Sequence, residues 1–435
     1  MTDLKMLYRI HFIGIGGAGM SAIAKLMFMR GKRVSGSDIQ PSAEARGLEK
    51  AGAHIAYAHD AQNIPPDAEA VIYTVAVDEK NPELAEAKKR GLPLFTYAEF
   101  LGLVSGGSKT IAISGTHGKT STTGMIARIV RDAGLDPSVI VGGMLRDFGS
   151  NCVAGRGDYF IVEACEYRRS FLNLDPRILV ITNIDNDHLD YYTGLADIQS
   201  AFCELAGRLK SDDVLVCDPA DPVLVPVVQG LRCSVVDYTA FIAQVPKLQV
   251  PGAHMLRNAA SALAVADAAG IDRVAARSAL EKFSGVLRRF EYKGKMQSGA
   301  EIYDDYAHHP SEIRATLQAA RERFPSKRIH VIFQPHLYSR TKLLLDDFAA
   351  SFGDADEVVF IPIYAAREAP DPDISSERLA EAARAHHPRV IALGSFDDAR
   401  RHFADAGAAD VIFTMGAGDV FKAAEALVAT QSANW

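Results

Sequence analysis

TIAISGTHGKTSTTGMIARIV, residues 110–130, passes from a strand-like run (Thr110 to Ser114) through a glycine turn into helical spacing at Met125, Ile126, Ile129 and Val130. The turn is Gly115-Thr116-His117-Gly118-Lys119-Thr120-Ser121. Strand, glycine loop and helix in this order form a phosphate cradle: glycines let the backbone approach, helix-start amides point at phosphate oxygens, and Lys119 adds charge. The Thr120 hydroxyl is placed to ligate magnesium. The usual pattern has four residues between its glycines, whereas Gly115 and Gly118 enclose two, and a bland helix entry capped by threonines is the competing reading. A lysine inside the turn and the run Thr120 to Thr123 are poor choices for a plain helix start, so a nucleoside triphosphate site is the expectation.

Working outward, the chain has 435 residues, enough for two or three domains. Apolar residues make up 48% and charged residues 23%, the composition of a soluble globular protein. No apolar run approaches the ~20 residues that span a bilayer. The start, MTDLKMLYRIHFIGIGGAGM, lacks a basic region leading to a small-residue cleavage site, so a cytoplasmic protein without a membrane partner is expected. The five cysteines are odd in number and contain no CxxC pair, which favours reduced thiols over disulfides or zinc. A net charge of -7 and the lack of a basic stripe argue against nucleic acid as a partner.

Residues 8–13 read as a first strand, followed by Gly14-Ile-Gly16-Gly17-Ala-Gly19 and an apolar helix from Met20. Asp38 closes the next strand about 20 residues on, where a ribose-binding acid belongs. This pattern indicates the diphosphate of a nucleotide without saying which one. AVIYTVAV (70–77) and LPLFTYAEFL (92–101) continue the alternation, and residues 105–108 are the best linker. A first α/β domain over 1–106 is expected, then a central domain over 107–288 and a third over 289–435. The central domain contains continuous apolar runs suited to a parallel sheet at 158–167, 177–192 and 212–218. Glu163 and His188 follow two of these runs; each alone reads as an ordinary strand-end or loop residue, but their shared position favours completing a magnesium site with Thr120. The third domain alternates again and places Asp304 to Pro310 and Gln334 to Arg340 at strand ends.

The ordered set GIGGAGMSAIA, SGTHGKTSTT, EACEYRRSFL, TNIDNDHLDYY, PGAHMLRNA, VLRRFEYKG, DDYAHHPSEI, FQPHLYSRT, YAAREAP and TMGAGDV resembles the Mur ligases of peptidoglycan synthesis, from about Ile10 to Val420. The resemblance implies three domains: a Rossmann-like UDP-binding domain, a P-loop ATPase-like centre and a C-terminal Rossmann-like domain. It also implies an ATP- and Mg2+-dependent ligase, monomeric or homodimeric, that joins L-alanine to UDP-N-acetylmuramate through an acyl phosphate. Carried over by motif, Gly115 to Ser121 hold the ATP phosphates, Lys119 the transferred group, and Thr120, Glu163 and His188 the magnesium. His254 and Asn258 correspond to adenine contacts, Asp305 to a ribose contact, and Arg289 to a charge-neutralising group. The turn Gly14, Gly16, Gly17, Gly19 and Met20, with Asp38 and His59, is implied to hold UDP, and Asn151, Glu166 and Ser170 the sugar and lactyl end. Tyr306, His308, His336 and Arg340 are implied to surround L-alanine. His59, Tyr306 and Asn151 keep bland readings as loop, packing and turn residues.

The chain departs from the family pattern at Leu337, where many relatives carry a second arginine, and at Met255, which interrupts a His-Asn pair. Cys165 stands in a segment that reads EADES in other members and is expected to pack. Four alternatives are weaker. A sister enzyme that recycles UDP-N-acetylmuramate with a tripeptide needs a wider amine pocket, and folate- or cyanophycin-type ligases have no need of the GIGGAGM domain. A dehydrogenase leaves GTHGKT unexplained, and a nucleotide-gated UDP-sugar sensor has no need of strand-end His and Arg.

Overall fold

Short β-branched and aromatic runs, buried on both faces, build three parallel-rich sheets flanked by helices. The computed structural model describes residues 4–189, 191–366 and 368–429, so Asp190 of the TNIDNDHLDYY motif and Arg367 of YAAREAP lie outside the described residues. The first sheet contains β1 (Arg9–Ile13), β2 (Arg33–Ser37), β3 (His54–Ala56), β4 (Ala70–Tyr73) and β5 (Leu94–Thr96) in the order β3-β2-β1-β4-β5, all parallel. Because β1 lies between β2 and β4, the strand order reverses at its carboxyl end, where crevices form in such sheets. Gly14 leaves β1 at that point.

The second sheet holds β6 (Lys109–Ser114), β7 (Ser138–Leu145), β8 (Ser150–Val153), β9 (Tyr159–Glu163), β10 (Ile178–Ile181), β11 (Val214–Cys217) and β12 (Ser234–Asp237). Their order, β12-β11-β10-β6-β9-β7-β8, again reverses at the strand that feeds the phosphate loop. The expected parallel sheet carries one antiparallel edge, because β7 and β8 form a hairpin. The third sheet holds β13 (Glu291–Lys295), β14 (Glu301–Asp305), β15 (Arg328–Phe333), β16 (Glu357–Phe360), β17 (Val390–Ala392) and β18 (Asp410–Met415), ordered β13-β14-β18-β15-β16-β17 with β13 antiparallel.

Two expected segments divide differently. AVIYTVAV stops being a strand at Tyr73, because Thr74 opens a turn closed by the Val77 amide on its carbonyl at 3.0 Å. In LPLFTYAEFL, Thr96 and Glu99 form a capping box that ends β5 and starts the helix Tyr97–Ser105.

The chain separates into two compact units, one running to Lys247 and including Arg257–Phe283, the other made of Leu248–Leu256 and the chain from Ser284. The first and second sheets share the first unit and contribute to one core that includes Phe12, Phe100, Phe160, Phe171 and Phe202. The second unit buries Phe333, Phe348, Phe360 and Phe413 around its own sheet. No helix among the described residues is long and apolar enough to cross a membrane.

Candidate active site

The phosphate loop takes its shape from the segment after β10. Gly115 has φ +122° and a Cβ there would stand 2.1 Å from the Thr182 hydroxyl, so only glycine fits. Thr182 Oγ1 donates to the His117 carbonyl at 2.6 Å, Asn183 Nδ2 to the same carbonyl at 3.0 Å, and the His117 amide donates to Asn183 Oδ1 at 3.0 Å. The Thr116 hydroxyl accepts from the Asp185 amide at 2.8 Å. Gly118, at φ +84°, starts the helix Lys119–Asp132 without a side-chain cap, leaving first-turn amides for an anion. A Cβ on Gly118 would lie 2.6 Å from Asn258 Oδ1, which places buried Asn258 directly against the loop.

Lys119 folds back over the loop. Its ammonium donates to the Gly115 carbonyl, to the Thr116 carbonyl at 3.1 Å and to both oxygens of Glu166 at 3.0 Å. Burial works against the charge, yet the Glu166 carboxylate holds the lysine above its ordinary pKa. Glu166 is 2% exposed, paired with Lys119 and 3.7 Å from His188 Nε2. The lysine is the nearest cation to a carboxylate held here by the Tyr192 hydroxyl on its backbone carbonyl, 2.5 Å away.

Glu163 ends β9 beside Ile113 of β6, and a Cβ on Gly142 would stand 2.9 Å from its Oε2. His188 is in the left-handed region at φ +56°, with its ring 5.0 Å from that of Tyr167. Thr120 is half-buried in the first helical turn and Ser121 is buried. Carboxylate and hydroxyl oxygens suit magnesium, while an imidazole is the softer member of the set. Cys165, expected to pack, is exposed, and its thiol is pushed up to about 12 by crowding and by Glu166, so a reactive thiolate is not formed at neutral pH.

At the first turn, the helix Ala18–Met29 starts at Gly17 without a side-chain cap. The Gly16 amide donates to Asp38 Oδ2 at 2.8 Å, so Asp38 shapes the turn with one oxygen. Gly14 has φ +79° and a Cβ there would strike Thr74 at 2.5 Å. The Met20 side chain is buried in the core at the start of that helix. Asn151, on β8, donates to the Ala18 carbonyl at 3.2 Å. Ser170 donates to the Tyr167 carbonyl at 2.7 Å within a short helical turn, Tyr167–Asn173.

A network that sequence reasoning missed lies beneath this turn. Glu83 and His11 are fully buried, with His11 Nε2 2.7 Å from Glu83 Oε2 and Ser37 donating to the same oxygen at 2.9 Å. His59 Nδ1 is 2.8 Å from Glu83 Oε1, so His59 is a positioned ring and not a free loop residue. Burial opposes the Glu83 charge, but His11, Ser37 and His59 together keep its pKa below the ordinary value.

In the second unit, the expected amine-site residues are brought together. His308 Nδ1 lies 3.0 Å from the Tyr306 carbonyl and 3.1 Å from Glu312 Oε2. The His308 and His336 rings are 6.0 Å apart, His336 stacks on Tyr364, and Arg340 Nη1 is 3.3 Å from His336 Nδ1. Leu337, where relatives carry arginine, is buried at φ +71°, so this position contributes packing and not charge. Asp305 is buried and accepts the Phe290 and Ala307 amides at 2.7 and 2.8 Å, and its carboxyl is pushed up to about 6 by desolvation. Arg289 lies 3.4 Å from Glu312 and over the Tyr306 ring. Arg288, its unremarked neighbour, donates to buried Asp304 at 2.8 Å and to the carbonyls of Gly418 and Gly416 at 3.0 and 2.6 Å.

His254 is pushed down to about 4 by burial and by Arg289, while buried Met255 packs. The imidazole is therefore neutral at working pH. The expected result is a His254 ring NMR signal that stays flat from pH 8 to 5.5 and titrates only near 4. A midpoint near the ordinary histidine value of about 6.5 would contradict the burial.

Three family profiles match the chain: Mur ligase family, catalytic domain, over residues 9–108; Mur ligase middle domain over 113–244; and Mur ligase, glutamate ligase domain, over 288–418. The chain belongs to the Mur ligase family. Curated relatives named UDP-N-acetylmuramate--L-alanine ligase include one from Clostridium acetobutylicum, 41% identical over 96% of this chain and 96% of its own. Another, from Salinibacter ruber, is 40% identical over 98% and 95%. Among solved structures, the UDP-N-acetylmuramate-alanine ligase MurC from Thermotoga maritima is 28% identical with a TM-score of 0.81, covering 98% of this chain and 100% of that one. A murein peptide ligase from Psychrobacter arcticus, 24% identical with a TM-score of 0.70 over 98% and 99%, shares the fold.

In this Mur ligase, both glycine turns leave a strand at which sheet order reverses. The residues missed in the sequence, Thr182, Asn183, Asp185 and Tyr192, lie within a motif that was visible, but nothing in it separated scaffold from ligand contact.

Proposed function

We propose that this Mur ligase joins L-alanine to the lactyl carboxylate of UDP-N-acetylmuramate with ATP, in the cytoplasm. The observation that carries the reading is full-length similarity to relatives of that name, together with a phosphate loop whose lysine is already poised over the carbonyls of Gly115 and Thr116.

In the first unit, the uncapped helix start after Gly17 binds the UDP diphosphate, and the loop Gly115 to Ser121 binds the triphosphate. Lys119, held at the loop by Glu166, extends its ammonium to the transferring phosphoryl group. Asn258, whose Oδ1 faces Gly118 of the loop, contacts the adenine. Thr120, Glu163 and His188 would hold magnesium, which supplies charge neutralisation when bound. The substrate carboxylate attacks the γ-phosphorus and ADP leaves, giving an acyl phosphate. In the second unit, Arg340 holds the carboxylate of L-alanine, with His336 and Tyr306 around it. His308, whose Nδ1 is engaged by Tyr306 and Glu312, has Nε2 to accept the amine proton. The nitrogen attacks the acyl carbon and phosphate departs, with Arg289 neutralising the charge that develops.

The test is phosphate release from ATP and magnesium with UDP-N-acetylmuramate, adding L-alanine, glycine, L-serine or the tripeptide in turn. Fastest release with L-alanine is expected, and a methyl-sized pocket discriminates by only ~1–3 kcal/mol, so glycine and L-serine should react more slowly but measurably. Release with the tripeptide alone would move the protein to the recycling activity, and none with any amine would leave a nucleotide-binding sensor.

A further inference from the structure

We infer that Tyr97 is a further substrate-binding residue, its hydroxyl donating a hydrogen bond to the lactyl-bearing sugar of the UDP-substrate. The inference rests on the substrate reading above and adds a contact that no motif marks.

The capping box at Thr96 and Glu99 fixes Tyr97 as the first residue of its helix, at the carboxyl end of β5. There the ring folds over the start of the glycine-turn helix. A Cβ on Gly19 would stand 2.9 Å from Tyr97 Cζ and 3.0 Å from its hydroxyl oxygen. Gly19 thus makes room for the tyrosine as well as for a diphosphate. The same phenol lies in the field of the Glu163 carboxylate, the last residue of β9. Tyr97 therefore stands over the glycine turn on which the reading above places the diphosphate, where the rest of the substrate must leave that turn.

The ring is half-buried, and its hydroxyl makes no hydrogen bond among the described residues. A tyrosine hydroxyl in such a setting ordinarily finds a partner. A phenol ordinarily titrates at about 10, so the hydroxyl is a donor at neutral pH. Beside it, Asn151 is 3% exposed, its Nδ2 on the Ala18 carbonyl and its Oδ1 buried without a partner. A donor and an acceptor thus flank one helix turn, Ala18 and Gly19. Muramyl sugar offers matching oxygens and an amide N–H; UDP alone does not extend that far.

The experiment is calorimetric titration of wild type and Tyr97→Phe with UDP-N-acetylmuramate and with UDP. Loss of one neutral hydrogen bond should raise the Kd for UDP-N-acetylmuramate about three- to tenfold. Affinity for UDP should stay unchanged, as should the KM for ATP, and the isosteric ring should keep the melting temperature. Unchanged UDP-N-acetylmuramate affinity, or equal losses for both ligands, would overturn the assignment. Wild-type protein that binds UDP but not UDP-N-acetylmuramate would instead remove the substrate reading itself, whatever the variant does.

Discussion

Replacing Lys119 by alanine is expected to lower turnover by about 10³-fold or more while leaving UDP-N-acetylmuramate affinity within about twofold of wild type. The ammonium is the charge nearest the loop carbonyls of Gly115 and Thr116, and no other lysine or arginine is described in hydrogen-bond contact with them. Transfer of a phosphoryl group depends on charge neutralisation in place, so a water filling the gap is a poor substitute. The glycine turn proposed to bind UDP belongs to a different sheet, anchored through Gly14, Gly16 and Asp38, none of which is described in contact with Lys119. Phosphate release measures the first effect and calorimetry the second. If both activities fall together, the separation of the two nucleotide sites is wrong. The variant also leaves the buried Glu166 carboxylate without its ammonium partner, so a modest fall in melting temperature should accompany the loss of turnover.

The parts of this protein that were legible in its sequence are those where the backbone itself is constrained. Glycines at φ +79°, +122° and +84° mark Gly14, Gly115 and Gly118 as turns, and apolar runs before them mark buried parallel strands. What the sequence could not convey is lateral packing. The hairpin of β7 and β8 contains no Asn-Gly or Asp-Gly turn, so its antiparallel edge was silent. Glu163 and Glu166 are three residues apart, and only the fold decides that the second one holds Lys119. Met20 and Leu337 occupy motif positions, yet their side chains turn into the core, a direction set by local φ and ψ. Tyr97 stands next to nothing in the sequence that suggests Gly19 or Glu163. Its neighbours come from two other elements.

The pair Arg288-Arg289 carries the second large prediction, because adjacent residues of one type have opposite tasks. Arg288 and Phe290 both take positive φ, +60° and +47°, which sends the two arginines in different directions. Arg288 closes on Asp304, which is 0% exposed, and on two carbonyls of the Gly416 to Gly418 turn. Arg288→Ala removes the one arginine or lysine described on Asp304 and leaves the Thr414 hydroxyl on that buried carboxylate, a loss that costs about 3–5 kcal/mol. Arg289→Ala removes a cation that shares Glu312 with His308, so its main effect should be on turnover, with a smaller change in stability. The pH dependence separates them further. Desolvation already raises the Asp304 pKa, and Arg288 opposes that rise. Without the arginine, the folded state binds the Asp304 proton more tightly than the unfolded chain does, so stability declines as pH rises through that interval. The deficit of Arg288→Ala should therefore be largest near pH 8 and shrink toward pH 5, as followed by hydrogen exchange in the second unit. A deficit of equal size at both pH values would mean that lost packing against Tyr306 and Phe421, not the orphaned carboxylate, is what the arginine supplies.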